Sequence, residues 1–147
     1  DPNHCTGWLG DDVINLWIEL CRSRDGELCG KGTGRRHSCF LNTFFFVKLR
    51  NNRWSHEALK KWTTKMDLAG ARKVYIPINH EVGGRGLHWS LCVADMEKKR
   101  VIHYDSFKNR TTTIQERILD YLEDDDDWKE GNMSSFEPND WEIVQDS

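Results

Sequence analysis

Two neighbouring apolar segments separated by a short charged stretch constrain the fold of this chain most strongly. "LHWSLCVAD" (87–95) and "RVIHYDS" (100–106) are rich in β-forming residues, and the polar segment "MEKK" separates them. A strand, a short polar turn and a second strand predict an antiparallel hairpin. If Met96 and Glu97 form the loop, His88 lies directly opposite Asp105; if the loop is 96–99, Asp105 is a diagonal neighbour. Either register places both side chains on one face of the sheet.

A histidine beside a carboxylate suggests acid–base chemistry. The carboxylate can hold one ring nitrogen of His88, which fixes the tautomer, raises the basicity of the ring and leaves the other nitrogen free as a base. Two alternatives stay open at this point. The His88–Asp105 pair can be an ordinary polar contact at the rim of a sheet. His103 lies on the same face as Asp105 and is an alternative partner, although it sits deeper in its strand.

The remaining chain mixes helical and strand patterns, which together predict an α+β fold. One helix is predicted within 8–24, with Val13, Ile14, Trp17, Ile18 and Cys21 on one face. Residues 25–38 form a Gly-rich loop. The segment "CFLNTFFFVKL" (39–49) is either a short helix capped by Asn42 or Thr43, or a buried strand. Further helices are predicted within 55–66 and 113–125, and further strands at 73–79 and from about 139 onwards.

Composition excludes several classes of protein. A length of 147 residues suits one domain with one core. The net charge of −3 and the acidic run at 123–127 argue against nucleic-acid binding, and no apolar run is long enough to cross a membrane. Five irregularly spaced cysteines are atypical of a disulfide framework and suit a reducing compartment, nucleus or cytoplasm. No cysteine cluster has zinc spacing, so neither a metal nor a cofactor is predicted.

Six sequence segments resemble, in order and rough spacing, the Ulp/SENP family of cysteine proteases that act on SUMO and related ubiquitin-like modifiers. They are "GWLGDDVIN", "FLNTFFFVKL", "HEALKKWT", "VYIPIN", "HWSLCVADMEKKRVIHYDS" and "ILDYLEDD". The resemblance runs from Trp8 to about Asp146. It implies a papain-like α+β fold, with a mixed sheet flanked by helices. It also implies hydrolysis at the C-terminal Gly-Gly of the modifier, in both precursor maturation and isopeptide deconjugation.

The resemblance also assigns roles to individual residues. His88 matches the catalytic base of the family and Asp105 the residue that orients it. Trp8 and Trp89 match two indoles that enclose a narrow tunnel for the Gly-Gly tail. Only glycine is slim enough to pass between flat aromatic faces, so such a tunnel selects its substrate by exclusion. Asp11 matches a carboxylate that contacts a basic residue of the modifier.

The nucleophile that the resemblance implies is not found in these residues. The family carries its cysteine in a DCG motif shortly after the last strand, whereas this sequence ends at "WEIVQDS". Cys92 is about 13 Å from His88 at the rise of a strand. Cys39 and Cys21 have apolar positions, and Cys5 and Cys29 lie in predicted loops. We therefore expect residues 1–147 to form a single protease domain that stops before its cysteine.

Two other functions remain open at this stage. A non-catalytic module that binds SUMO or a related modifier would keep the pocket and lose the cysteine. A structural or interaction protein would carry an inert His88–Asp105 pair. Residues 80–86, "HEVGGRG", form a longer connection than the family usually has before its HW motif. Their glycines predict a mobile loop beside the site.

Overall fold

The computed structural model describes residues 9–51, 55–82, 85–108, 111–124 and 136–146. Four α-helices are present in these ranges: α1 (Asp11–Leu28), α2 (Thr43–Leu49), α3 (His56–Thr63) and α4 (Thr113–Glu123). Five strands accompany them: β1 (Cys39–Phe40), β2 (Lys73–Val82), β3 (Arg85–Asp95), β4 (Arg100–Tyr104) and β5 (Glu142–Asp146). None of the helices in the described ranges has the length and apolar character that crossing a bilayer requires.

The strands form one mixed sheet in the order β1-β2-β3-β4-β5. The three central strands pair antiparallel, whereas β1 joins β2 and β5 joins β4 in parallel. Parallel neighbours need long crossover connections. The segment with α2 and α3 connects β1 to β2, and the segment with α4 connects β4 to β5. The α+β class with a mixed sheet flanked by helices is therefore confirmed.

The hydrophobic core lies between one face of the sheet and helices α2, α3 and α4. Alternate residues of β2, β3 and β4 point into it, as the period of two in a strand requires. The phenol ring of Tyr121 packs edge-on against Phe45 with centroids 5.0 Å apart. Its hydroxyl shares a hydrogen bond of 2.9 Å with Thr63, which connects α4 to α3. Fully burying an apolar side chain of this size contributes roughly 1.5–3 kcal/mol.

Helix α1 differs from the predicted helix in its length and in its buried face. Ile18 is buried, but Val13 and Trp17 are 53% and 67% exposed, so the predicted face was wrong in these two members. The side-chain amide of Asn15 makes two hydrogen bonds with Thr43. These bonds turn the Asn15 side of α1 toward α2, so Val13 and Trp17 lie on the outward side of the helix. The helix also continues into the predicted loop as far as Leu28, because the buried carboxylate of Asp25 accepts the N–H of Ser38 at 2.7 Å.

Side-chain caps determine the two short helices. Asn42 accepts the backbone N–H of Phe44 at 3.0 Å, so the segment after it is helical and the strand is reduced to Cys39–Phe40. Ser55 accepts the N–H of Ala58 at 3.2 Å and begins α3 as predicted. Such caps satisfy N–H groups that have no partner within the helix and contribute about 1 kcal/mol each.

The connection predicted as a mobile loop is part of a longer hairpin. Strand β2 continues through His80 to Val82, and β3 begins at Arg85 rather than at 87. A bulge between His80 and Glu81 shifts the register by one residue, and the pairing then resumes. The ladder hydrogen bonds therefore extend over most of 80–86, although residues 83 and 84 lie outside the described ranges.

Candidate active site

The register of β3 and β4 places the predicted pair on the same face. Leu91 lies opposite Tyr104 and Asp95 opposite Arg100, so residues 96–99 form the longer of the two turns considered. The carboxylate of Asp95 accepts the N–H of Lys98 and stabilises this turn. Lys99 takes a left-handed backbone conformation with φ of 48°, which closes the turn. In this register Asp105 is the diagonal neighbour of His88, as predicted for the longer turn.

His88 and Asp105 form a buried hydrogen bond. Nε2 of His88 donates to Oδ1 of Asp105 over 2.6 Å, and the two residues are only 9% and 4% exposed. The backbone N–H of Phe107 donates to the same Oδ1 at 2.9 Å. Burial opposes the charge on Asp105, but these two hydrogen bonds outweigh it and hold the pKa of the carboxyl below its ordinary value. Asp105 is therefore an anion at neutral pH.

The hydrogen bond to Asp105 determines which nitrogen of His88 can act as a base. An ionised carboxylate only accepts, so Nε2 carries the proton and Nδ1 keeps its lone pair. Phe107 covers the imidazole, with ring centroids 3.8 Å apart and ring planes 13° from parallel. The hydrogen bond to Asp105 thus fixes the orientation and the tautomer of the imidazole, and Phe107 covers one of its two faces. Such a histidine is prepared to accept a proton at Nδ1 from a neighbouring acid.

His103, the alternative partner in the sequence, is bonded elsewhere. It is completely buried, and its Nε2 shares a hydrogen bond of 2.8 Å with Oγ of Ser90. The same Oγ shares a bond of 2.6 Å with Nε2 of His80. Burial lowers the pKa values of both His80 and His103. His88, rather than His103, is therefore the histidine that is hydrogen-bonded to Asp105.

His80 is a site residue that the sequence analysis did not identify. It lies directly opposite His88 across the β2–β3 ladder, and the two ring centroids are 5.1 Å apart. His80, His88 and Asp105 each place one potential metal-ligand atom within 4.8 Å of the others. The alternation of β2 places the side chain of His80 on the same face as Ile78. Only the pairing register, which sequence alone did not define, shows that this face meets His88.

Trp89 and Asp11 are the described members of the set expected to bind the modifier, and Trp89 directly follows His88 in β3. Trp89 is half-buried, and its indole N–H donates to the carbonyl of Leu9 at 2.8 Å. Asp11 lies in the first turn of α1. Trp8 lies outside the described residues, but it directly precedes Leu9 in the sequence. An open cavity of about 460 Å³ adjoins the site and is lined by Trp89, Ser90, Leu91, Tyr104, Asp105, Ser106 and Asp146.

The four described cysteines occupy positions that suit packing better than nucleophilic attack on a substrate at His88. Cys92 is fully buried opposite His103, and burial raises the pKa of its thiol far above neutral pH. Cys39 is a buried core residue beside β2. Cys21 and Cys29 belong to α1 and its C-cap, and the thiol of Cys29 bonds to Asp25. Cys5 lies outside the described residues.

A mixed sheet whose central strands carry a buried histidine–carboxylate pair is the architecture of papain-like cysteine proteases. The sequence model of one protein family, described as the Ulp1 protease family, C-terminal catalytic domain, matches residues 7–146 of this chain. The chain belongs to this family, and the resemblance seen in the sequence is confirmed.

Curated relatives include sentrin-specific protease 2 of Rattus norvegicus, which is 35% identical over 118 residues, or 80% of this chain. The ubiquitin-like-specific protease ESD4 of Arabidopsis thaliana is 29% identical over 146 residues, or 96% of this chain. The chain spans only 18% and 28% of the lengths of these two relatives.

Solved structures share the fold. The SUMO protease Ulp1 with its catalytic cysteine oxidised to a sulfonic acid superposes with a TM-score of 0.70 at 19% identity, over 94% of this chain and 56% of that one. The C-terminal Ulp1 protease domain in complex with Smt3, the yeast orthologue of SUMO, gives a TM-score of 0.61 at 20% identity, over 94% and 55% of the two chains. At these identities the likeness establishes the fold.

Proposed function

We propose that this chain is a protease domain that cleaves SUMO or a related ubiquitin-like modifier after its C-terminal Gly-Gly. The observation that carries the proposal is the 2.6 Å hydrogen bond from Nε2 of His88 to Asp105, which leaves Nδ1 as a base. A chain of this family needs that arrangement for thiol chemistry, since a thiol at ordinary pKa is largely protonated at neutral pH. The modifier itself is proposed from the family and from the named relatives.

In the proposed reaction His88 first acts as a base. Nδ1 takes the proton of a cysteine thiol, and the thiolate attacks the carbonyl carbon of the terminal glycine. The imidazolium then gives that proton to the leaving amine, and a thioester remains on the enzyme. Water, deprotonated by Nδ1, hydrolyses the thioester and releases the carboxylate and the thiol. The negative charge of Asp105 stabilises the imidazolium throughout, without itself becoming protonated.

The nucleophile of this reaction is proposed to lie outside the four described cysteines. The family resemblance places it in a DCG motif after the last strand, and residues 1–147 contain no such motif. We therefore propose that these residues form the acid–base part of a single protease domain. The nucleophilic thiol would lie within hydrogen-bonding reach of the lone pair on Nδ1.

Binding of the modifier tail is proposed to involve three residues. Trp89 lies next to His88 in sequence and borders the open cavity, and its indole N–H is bonded to the carbonyl of Leu9. That bond brings the segment after Trp8 to Trp89, as a tunnel enclosed by the two indoles would require. Asp11 is proposed to contact a basic residue of the modifier. The proposed compartment is the nucleus or the cytoplasm.

Covalent capture tests this function. SUMO with a thiol-reactive electrophile at its terminal glycine is mixed with the 147-residue chain and, separately, with the full-length natural protein, and the products are weighed intact. We expect binding without an adduct for the 147-residue chain and a single adduct for the full-length protein. His88→Gln should slow hydrolysis by the full-length protein about 10²–10⁴-fold, the usual contribution of a general base.

Two results would contradict the proposal. An adduct that peptide mapping assigns to Cys21, Cys29, Cys39 or Cys92 would show that a described cysteine is the nucleophile. A full-length protein that binds SUMO but forms no adduct would be the non-catalytic binding module instead. A matched variant, His37→Gln, controls for the loss of any histidine, because His37 bonds to the carbonyl of Asp67 in a different part of the chain.

A further inference from the structure

Three potential metal ligands converge at the acid–base pair. The β2–β3 register places His80 opposite His88, and Asp105 is bonded to His88 from the next strand. One ligand atom from each of these residues lies within 4.8 Å of the other two. Two imidazoles and a carboxylate form a ligand set that zinc sites use, with water in the fourth position.

The surroundings of these residues also resemble the outer shell of a metal site. Ligating histidines and carboxylates are usually oriented by further hydrogen bonds. His80 shares a hydrogen bond with Ser90, whose hydroxyl is held in turn by His103. Asp105 accepts the N–H of Phe107. His80 and Asp105 are thus each positioned by neighbours that do not belong to the ligand set.

We propose that His80, His88 and Asp105 form a reversible binding site for a divalent transition-metal ion such as Zn²⁺. The two imidazoles favour zinc, cobalt or nickel over magnesium and calcium, which prefer oxygen ligands. Tetrahedral zinc with bonds of about 2.0–2.1 Å needs ligand atoms roughly 3.3 Å apart. Nε2 of His88 and Oδ1 of Asp105, which are 2.6 Å apart, would therefore separate by about 0.7 Å, and His80 would move in by up to about 1.5 Å.

Occupation of this site would inhibit the protease. A metal on Nε2 of His88 would displace the proton that this nitrogen donates to Asp105. The neutral imidazole would then carry its one proton on Nδ1, so Nδ1 would have no lone pair with which to accept the proton of a thiol. His80 has no step in the proposed reaction, so it adds metal affinity without adding catalytic function. The inhibition rests on the proposed function, whereas the binding of the metal does not.

A cobalt titration tests the binding directly. Co²⁺ is added to the 147-residue chain and its visible spectrum recorded, and Zn²⁺ is then added as a competitor. We expect one equivalent to bind with d–d bands of nitrogen and oxygen ligation and without thiolate charge-transfer bands. His80→Asn and His80→Gln should each weaken binding at least tenfold, and His37→Asn should leave it unchanged. Circular dichroism spectra show that each variant is folded.

Unchanged cobalt affinity in both folded His80 variants would overturn the proposal, as would thiolate bands in the spectrum of the wild-type chain. A second arm uses the full-length protein and compares hydrolysis with and without Zn²⁺, each variant relative to its own metal-free rate. Wild type should be inhibited at about tenfold lower Zn²⁺ than His80→Asn, and a chelator should restore it. Equal inhibition of both would assign the metal to the nucleophile. Absence of any hydrolysis would refute the proposed function alone, since the cobalt titration still decides the site.

Discussion

The ring of Phe107 lies parallel to the imidazole of His88, with centroids 3.8 Å apart. The same residue donates its backbone N–H to the carboxylate of Asp105. One residue therefore stabilises both members of the pair, although its own side chain is 67% exposed. An exposed phenylalanine is usually of little consequence, but this one limits the access of water to one face of the imidazole of His88.

Phe107→Ala should separate these two contributions. The backbone N–H remains, so Asp105 keeps its acceptor bond, while the stacked ring is lost. We expect the free energy of unfolding to fall by about 1 kcal/mol, the usual value of a stacked aromatic pair. Hydrolysis by the full-length protein should fall several-fold as His88 gains freedom. Urea denaturation and a fluorogenic SUMO substrate measure the two effects, and Phe44→Ala, an exposed aromatic on α2, is the matched control. Equal losses in both variants would contradict a specific role of Phe107.

Asp105→Asn should retain most of the structure and lose most of the activity. The amide oxygen can still accept the N–H of Phe107, but the anion that orients His88 and stabilises the imidazolium is gone. We expect hydrolysis to fall by about 10²–10⁴-fold, as for comparable changes in other triads. Steady-state kinetics with a SUMO substrate check this, and Asp120→Asn on the exposed side of α4 is the control. An activity within threefold of wild type would show that the pair is a structural contact.

Stability should fall as the pH is lowered through the range of histidine titration. Burial lowers the folded-state pKa values of His80 and His103 from their ordinary value of about 6.5. Below that value the unfolded chain binds more protons than the folded chain, so the free energy of unfolding decreases with falling pH. The nearby anion of Asp105 offsets this effect only in part.

Urea melts between pH 7.5 and 5.5 measure this slope, at pH values where Asp105 stays ionised. His103→Gln should flatten it, since the glutamine does not titrate, and His37→Gln should not. Equal slopes in wild type and His103→Gln would mean that His103 does not contribute to the pH dependence.

Cys92 should be dispensable for chemistry. Its thiol is fully buried and its pKa is raised, so Cys92→Ala should leave hydrolysis by the full-length protein unchanged. Loss of the sulfur from a packed core should lower the free energy of unfolding by about 1 kcal/mol, and Cys92→Ser should cost more, because a buried hydroxyl without a partner is unfavourable. Urea denaturation measures the contribution of Cys92 to stability, and turnover of a SUMO substrate measures its contribution to catalysis. Abolished turnover in a folded Cys92→Ala variant would identify it as the nucleophile.

The local parts of the fold could be predicted from the sequence. The period of two in the strands predicted at 87–95 and 100–106 places His88 and Asp105 on one face in either of the two registers considered for the polar turn. Caps such as Ser55 were visible because they depend on residues three positions apart. These features arise within one or two neighbouring elements, where periodicity and turn chemistry determine the structure.

Features that depend on distant contacts could not be predicted. The position of His80 opposite His88 follows from the bulge after it and from pairing across 80–86, where glycines suggested a loop. The outward position of Trp17 follows from the hydrogen bonds between Asn15 and Thr43, which lie 28 residues apart. Helix α1 extends to Leu28 because Asp25 has a partner in Ser38. In each case a polar contact between separate segments overrides the local pattern.

The hydrogen bond between His88 and Asp105 joins residues only 17 positions apart. The His88–Asp105 pair is therefore a low-contact-order element, whereas the parallel pairings of β1 and β5 join distant parts of the chain. Loops of this length close at little entropic cost, so we expect the β3–β4 hairpin to form before the edge strands during folding. Pulse-labelled hydrogen exchange would show earlier protection at Leu91 and Val93 than at Val144. The imidazole and its carboxylate would then come together before the rest of the sheet.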